Sequence, residues 1–107
     1  MKGILICLFI NVILLAPAMA GTVYKTGKVT SVKMFGSVVV VYVDTISEKA
    51  CSSGQKRVAI KSDDPIFSAV VSTALAAKAT DATVEIGYDD QCTHNSNSWD
   101  FESFWLQ

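Results

Sequence analysis

The apolar and polar positions fall into short alternating runs, broken once by a longer period. From Val23 to Met34, β-branched and apolar residues mix with lysines, and Thr30, Val32 and Met34 alternate with Ser31 and Lys33. Period-two alternation is the mark of a strand, and Gly27 is the expected bulge or bend within it. After Phe35-Gly36-Ser37, a short turn, Val38 to Val43 is a continuous β-branched run suited to a strand covered on both faces. The two segments predict a hairpin. Asp44 to Gln55 is polar and reads as a loop; Lys56 to Lys61 alternates again, with Val58 and Ile60 on one face and Arg57 and Lys61 on the other.

The period then changes. Asp64 can cap free backbone N–H groups, and Pro65 suits the first position of a helix. From Pro65 to Ala79, Phe67, Val70, Val71, Ala74 and Leu75 recur at helical spacing, which predicts a buried Phe67/Val71/Leu75 stripe. Thr83 to Tyr88 returns to period two, with Val84, Ile86 and Tyr88 on one face. Asp89 to Ser98 is a polar loop, and the aromatic segment Trp99 to Leu106 is the last strand. The order β-β-β-α-β-β, five strands with one helix between the third and fourth, predicts a mostly β (α+β) domain of the OB-fold type, a small Greek-key barrel.

The first twenty residues have a different character. Lys2 precedes an apolar run, Ile4 to Ala16, interrupted only by Asn11, and Pro17 leads to Ala18-Met19-Ala20. That is the layout of a signal peptide cut before Gly21, leaving 21–107 as one domain in a secreted or periplasmic protein. A membrane helix needs about 20 apolar residues, so no membrane span is expected after cleavage. Lys2 is the only charge removed, so 21–107 keeps eight basic and ten acidic side chains and a formal charge of −2.

Export also decides the cysteines. Cys51 and Cys92 are the two that remain, and in an oxidising compartment they are expected to form a disulfide. Closing a loop of roughly 40 residues is worth about 4 kcal/mol in the chain-entropy model. A domain this small needs that help.

Candidate chemistry is sparse. With both cysteines paired, His94 is the only imidazole and lies in a polar loop. No zinc-protease, P-loop or dinucleotide motif occurs, so no enzyme and no cofactor is expected. Asp89, Asp90, Asn95, Asn97 and Asp100 are oxygen-rich, but their spacing is not that of a calcium loop, and no metal site is expected. Asp89 and Asp90 as the acid pair of a small hydrolase would have to face one another across a cleft, which neighbours on a strand do not. Seven lysines scattered from Lys25 to Lys78 on an acidic domain argue against nucleic acid. Recognition of a surface ligand remains, with Tyr24, Tyr42, Tyr88, Trp99 and Trp105 as candidate contacts; Tyr88, beside Asp89 and Asp90, is the least core-like of them.

The layout resembles the B subunits of AB5 toxins of the subtilase cytotoxin type. The stretch that carries the likeness runs Phe67-Ser68-Ala69-Val70-Val71-Ser72-Thr73-Ala74-Leu75 into Val84-Glu85-Ile86-Gly87-Tyr88. It also looks like small exported bacterial proteins of unknown function that carry an Ala-rich helix, a short strand and a cysteine. The toxin resemblance implies a homopentamer with helices around a central pore, a sialylated cell-surface glycan as ligand, and Thr26 and Tyr88 near the sugar site. The alternative to a glycan-binding subunit is a monomeric protein–protein module or inhibitor.

Overall fold

A computed structural model describes residues 21–107; the expected signal peptide and its cleavage point lie outside the described residues. The elements are β1 (Val23–Phe35), β2 (Val38–Val43), a 3-10 turn (Ala50–Ser52), β3 (Val58–Lys61), α1 (Phe67–Thr80), β4 (Thr83–Asp89) and β5 (Trp99–Leu106). The order expected from the pattern is the order observed. β1 and β2 form the hairpin, pairing from Phe35↔Val38 back to Val29↔Val43. β2 pairs with β3, β3 runs parallel to β5, β5 pairs with β4, and β4 returns to β1, so the five strands form a closed ring of pairings.

Long β1 makes this possible because its first half pairs with β4 and its second half with β2. The register slips between Val29 and Ser31. The expected bulge is therefore near Thr30, three residues beyond Gly27. Gly27 has another reason to lack a side chain: a Cβ there would come within 2.2 Å of Asp44 Oδ1. That oxygen accepts the Lys28 N–H at 2.9 Å, tying the end of β2 against β1.

The interior is filled by Val39, Val41, Val43, Val58 and Ile60 from the central strands and by Val84, Ile86, Tyr88, Trp99 and Phe101 from β4 and β5. As expected, β2 is covered on both faces. Its other face sends Val38 and Val40 to a second small cluster with Ala59 and the partly buried Tyr42.

Helix α1 packs on β1 and β5. Its start differs from expectation by two residues. Pro65 lies ahead of the helix, Ile66 is the N-cap, and Asp64 Oδ1 accepts the Ile66 N–H at 3.0 Å in the preceding turn. Its buried face also differs: Val70, Ala74 and Ala77 point inward, flanked by half-buried Phe67 and Val71, while Leu75 is 50% exposed. Small alanines let the helix axis lie close to the sheet, which a leucine at the contact would prevent.

The disulfide forms as expected between Cys51 and Cys92, with Cα atoms 6.4 Å apart. It joins the 3-10 turn after β2 to the loop after β4.

Candidate functional site

The end of β4 and the start of β5 bring the aromatic and acidic residues together. Tyr88 pairs with Phe101 and Asp89 with Asp100, after a register slip between Gly87 and Tyr88. Across this end Tyr88 stacks on Trp99, with ring centroids 5.6 Å apart and planes 25° from parallel. The Trp99 indole N–H donates to the backbone carbonyl of Glu48 at 3.2 Å, which fixes the ring and brings the β2–β3 loop over it. Val23, Glu48, Tyr88, Asp90 and Trp99 enclose a pocket of about 130 Å³. Asp90 also lines a neighbouring depression of about 190 Å³ with Gly21, Asp89 and Gln91.

Three of the expected site residues, Tyr88, Asp89 and Asp90, thus meet at one rim. Thr26 does not join them. It lies exposed on β1 opposite Glu85, with Oγ1 3.4 Å from Glu85 Oε2. Tyr88 itself corrects the reading of it as least core-like, because it is only 3% exposed. The alternation that puts Val84 and Ile86 inside puts Tyr88 inside too, so it lines the pocket from a core position. Burial raises the pKa of its phenol, and the Glu48 carboxylate raises it further, so the hydroxyl stays protonated and able to donate.

The acidic rim is electrostatically tight. Glu102 has its pKa raised, chiefly by the Asp89 carboxylate and further by burial, a hydrogen bond with Asp89 and the Asp100 charge. Asp100 is the reverse case. Burial pushes its pKa up, but hydrogen bonds from the Thr93 hydroxyl and from the His94 and Thr93 backbone, with the His94 charge, more than offset this and leave it lowered. The Thr93 and His94 N–H groups donate to Oδ1 at 2.8 and 3.1 Å. Asn95 Oδ1 likewise accepts from Asn97 N–H and the Ser98 hydroxyl. Asp100 and Asn95 are therefore occupied in shaping the loop. Among the described residues no group of three or more His, Cys, Asp or Glu side chains is placed to hold a metal ion.

Two further aromatics stand on the outer surface. Tyr24 and Trp105 are exposed and tilted against one another, with centroids 6.4 Å apart. Sequence reasoning missed Glu48, which sits in a polar loop with no periodicity, and did not foresee the burial of Arg57. Expected only on the face opposite Val58 and Ile60, Arg57 is 7% exposed. Its Nε donates to Ser98 Oγ and its Nη1 to the Tyr42 hydroxyl, both at 2.8 Å, and its guanidinium lies 4.9 Å from the Phe35 ring centre. Alternation signalled the correct side of the strand but not that Phe35 and Tyr42 cover that side.

Comparison with known protein families, with characterised proteins and with solved structures finds no match. Among the described residues no helix is long and apolar enough to cross a membrane.

Proposed function

We propose that the protein is an exported, non-enzymatic binding module of the OB-fold type, which holds a saccharide in the Tyr88–Trp99 pocket. The observation that carries this reading is the stacked aromatic pair with two carboxylate residues, Glu48 and Asp90, beside it. Aromatic rings offer apolar faces and edges to sugar C–H groups, and carboxylates accept hydrogen bonds from sugar hydroxyls. The pocket is small, so it suits one ring or the end of a chain rather than a long polymer. The strand ring with a helix between β3 and β4 supports the OB-type assignment, a fold that also binds oligosaccharides.

A glycan array probed with disulfide-bonded protein tests the reading. Binding to a defined group of glycans is expected, weakened at least about tenfold by Asp90→Asn or Glu48→Gln, a loss of about 1.4 kcal/mol. Both variants leave the core intact, whereas Tyr88→Ala would empty it. Binding to no glycan contradicts the proposal.

The exposed Tyr24, Trp105 and Leu106 favour a second reading, a surface for another protein or for further copies of this chain. A pentameric toxin-like ring is one form of it. Sedimentation separates the two, since a pentamer supports the ring and a monomer with a specific protein ligand supports the interaction module.

A further inference from the structure

A second cavity shares no residue with the Tyr88–Trp99 pocket. It has a volume of about 390 Å³ and is lined by Tyr42, Lys49, Ser53, Gly54, Gln55 and Lys56. Its surroundings are cationic. Lys49 and Lys56 are in the wall, Lys33 Nζ lies 5.1 Å from the centre of the Tyr42 ring, and buried Arg57 donates to the Tyr42 hydroxyl from behind. Among the described residues, the salt bridges are Lys28–Asp81 and His94–Asp100, and neither involves these four cations. Two lysines in a wall without a carboxylate, with Lys33 and Arg57 against the Tyr42 ring, create a local positive potential on a domain of net negative charge.

The wall is also built at a conformational cost. Cys51 and Ser52 both have positive φ, 51° and 71°, in a turn clamped by the disulfide. Left-handed backbone at such residues is strained and persists where surrounding structure enforces it. Gly54 cannot carry a side chain, because a Cβ would lie 2.6 Å from the Ala50 carbonyl and 2.8 Å from Asn97. The Gly54 N–H donates to Ala50 O and the Gln55 N–H to Asn97 O, so the segment is fixed before any ligand arrives. The Tyr42 hydroxyl accepts from Arg57 and so has its own proton to give. Its side chains offer donors in a phenol, two ammonium groups, the Ser53 hydroxyl and the Gln55 amide NH2.

We propose that this pocket binds a sulfate group carried on a saccharide. A sulfate ester is charged at every relevant pH, and its three terminal oxygens suit several donors, two of them cationic, in one pocket whose wall has no carboxylate. Lysines act as point charges and need no planar partner. The volume accommodates a sugar ring with its substituent. The inference rests on the saccharide reading for the class of ligand but on a different set of residues.

The test is a calorimetric titration of the disulfide-bonded protein with a heparin-derived hexasaccharide, with the same hexasaccharide desulfated, and with sodium sulfate. The sulfated chain binds, weakening about tenfold as NaCl rises from roughly 0.05 to 0.3 M. The desulfated chain does not bind, and free sulfate competes only weakly. The double variant Lys49→Glu/Lys56→Glu loses at least about tenfold in affinity, while Lys25→Glu/Lys78→Glu, equal in charge but outside the pocket, loses less than about twofold. Equal loss in both double variants, equal binding of the desulfated chain, equal binding of a poly-glutamate peptide, or no binding of the sulfated chain each overturns the proposal. Uncharged glycans read against Asp90→Asn report on the Tyr88–Trp99 pocket alone, so failure of either site is told apart from failure of the other.

Discussion

Arg57 shows how one side chain can tie a loop to the sheet. Its guanidinium holds the Ser98 and Tyr42 hydroxyls while lying over the Phe35 ring, and Ser98 passes the link on to Asn95. Arg57→Ala leaves buried hydroxyls without their donor, so a loss of about 2–4 kcal/mol is expected in urea unfolding. Arg57→Lys recovers less than half of it, because an ammonium cannot serve both partners and lie flat on an aromatic face. The acidic residues give opposite pH signatures. Asp100 has a lowered pKa, so it contributes stability above its unfolded value, and that contribution is lost as pH falls through the folded one. Asp100→Asn should cost about 1–3 kcal/mol at pH 7 and flatten the loss of stability below about pH 4. Glu102 has a raised pKa, so its charge opposes folding above that pKa and the penalty vanishes in acid. It is exposed and screened, so Glu102→Gln should raise stability at pH 7 by less than about 0.5 kcal/mol, with no gain near pH 3.

At the scale of elements, legibility followed periodicity. In β4 strict alternation put Val84, Ile86 and Tyr88 on one face, and the structure buries all three. The same rule shows why Tyr88 was misjudged: its polar neighbours in sequence say nothing about which way the strand turns it. In α1 the pattern was ambiguous, because alanines at 69, 74, 76, 77 and 79 spread apolar character around the cylinder. Side-chain size then suggested Leu75, whereas close approach to β1 selected Ala74 and Ala77. Thermal unfolding checks this: Leu75→Ser should cost under about 0.5 kcal/mol, and Ala74→Leu about 1–3 kcal/mol through overpacking. Glu48 and the parallel pairing of β3 with β5 left no local signal. Each depends on contacts between segments more than forty residues apart, Glu48 with Trp99 and Val58 with Trp99.

For the molecule as a whole, the disulfide connects the two candidate sites. Cys51 opens the turn that walls the cationic cavity, and Cys92 follows the strand that carries Tyr88 and leads into Asp90. Replacing both cysteines by alanine releases a closed loop spanning 41 positions and should lower stability by about 4 kcal/mol in the chain-entropy model, read by urea unfolding. A ring of strands this small has little margin for such a loss. The central claim, that a saccharide sits against the Tyr88–Trp99 stack, is tested most directly by nuclear magnetic resonance on isotope-labelled 21–107 titrated with the glycan preferred on the array. The predicted result is a shift of the Trp99 indole N–H signal, together with the backbone signals of Glu48, Tyr88 and Asp90, saturating at one equivalent. An indole signal that stays in place while signals elsewhere move, or a spectrum that does not change at all, contradicts it.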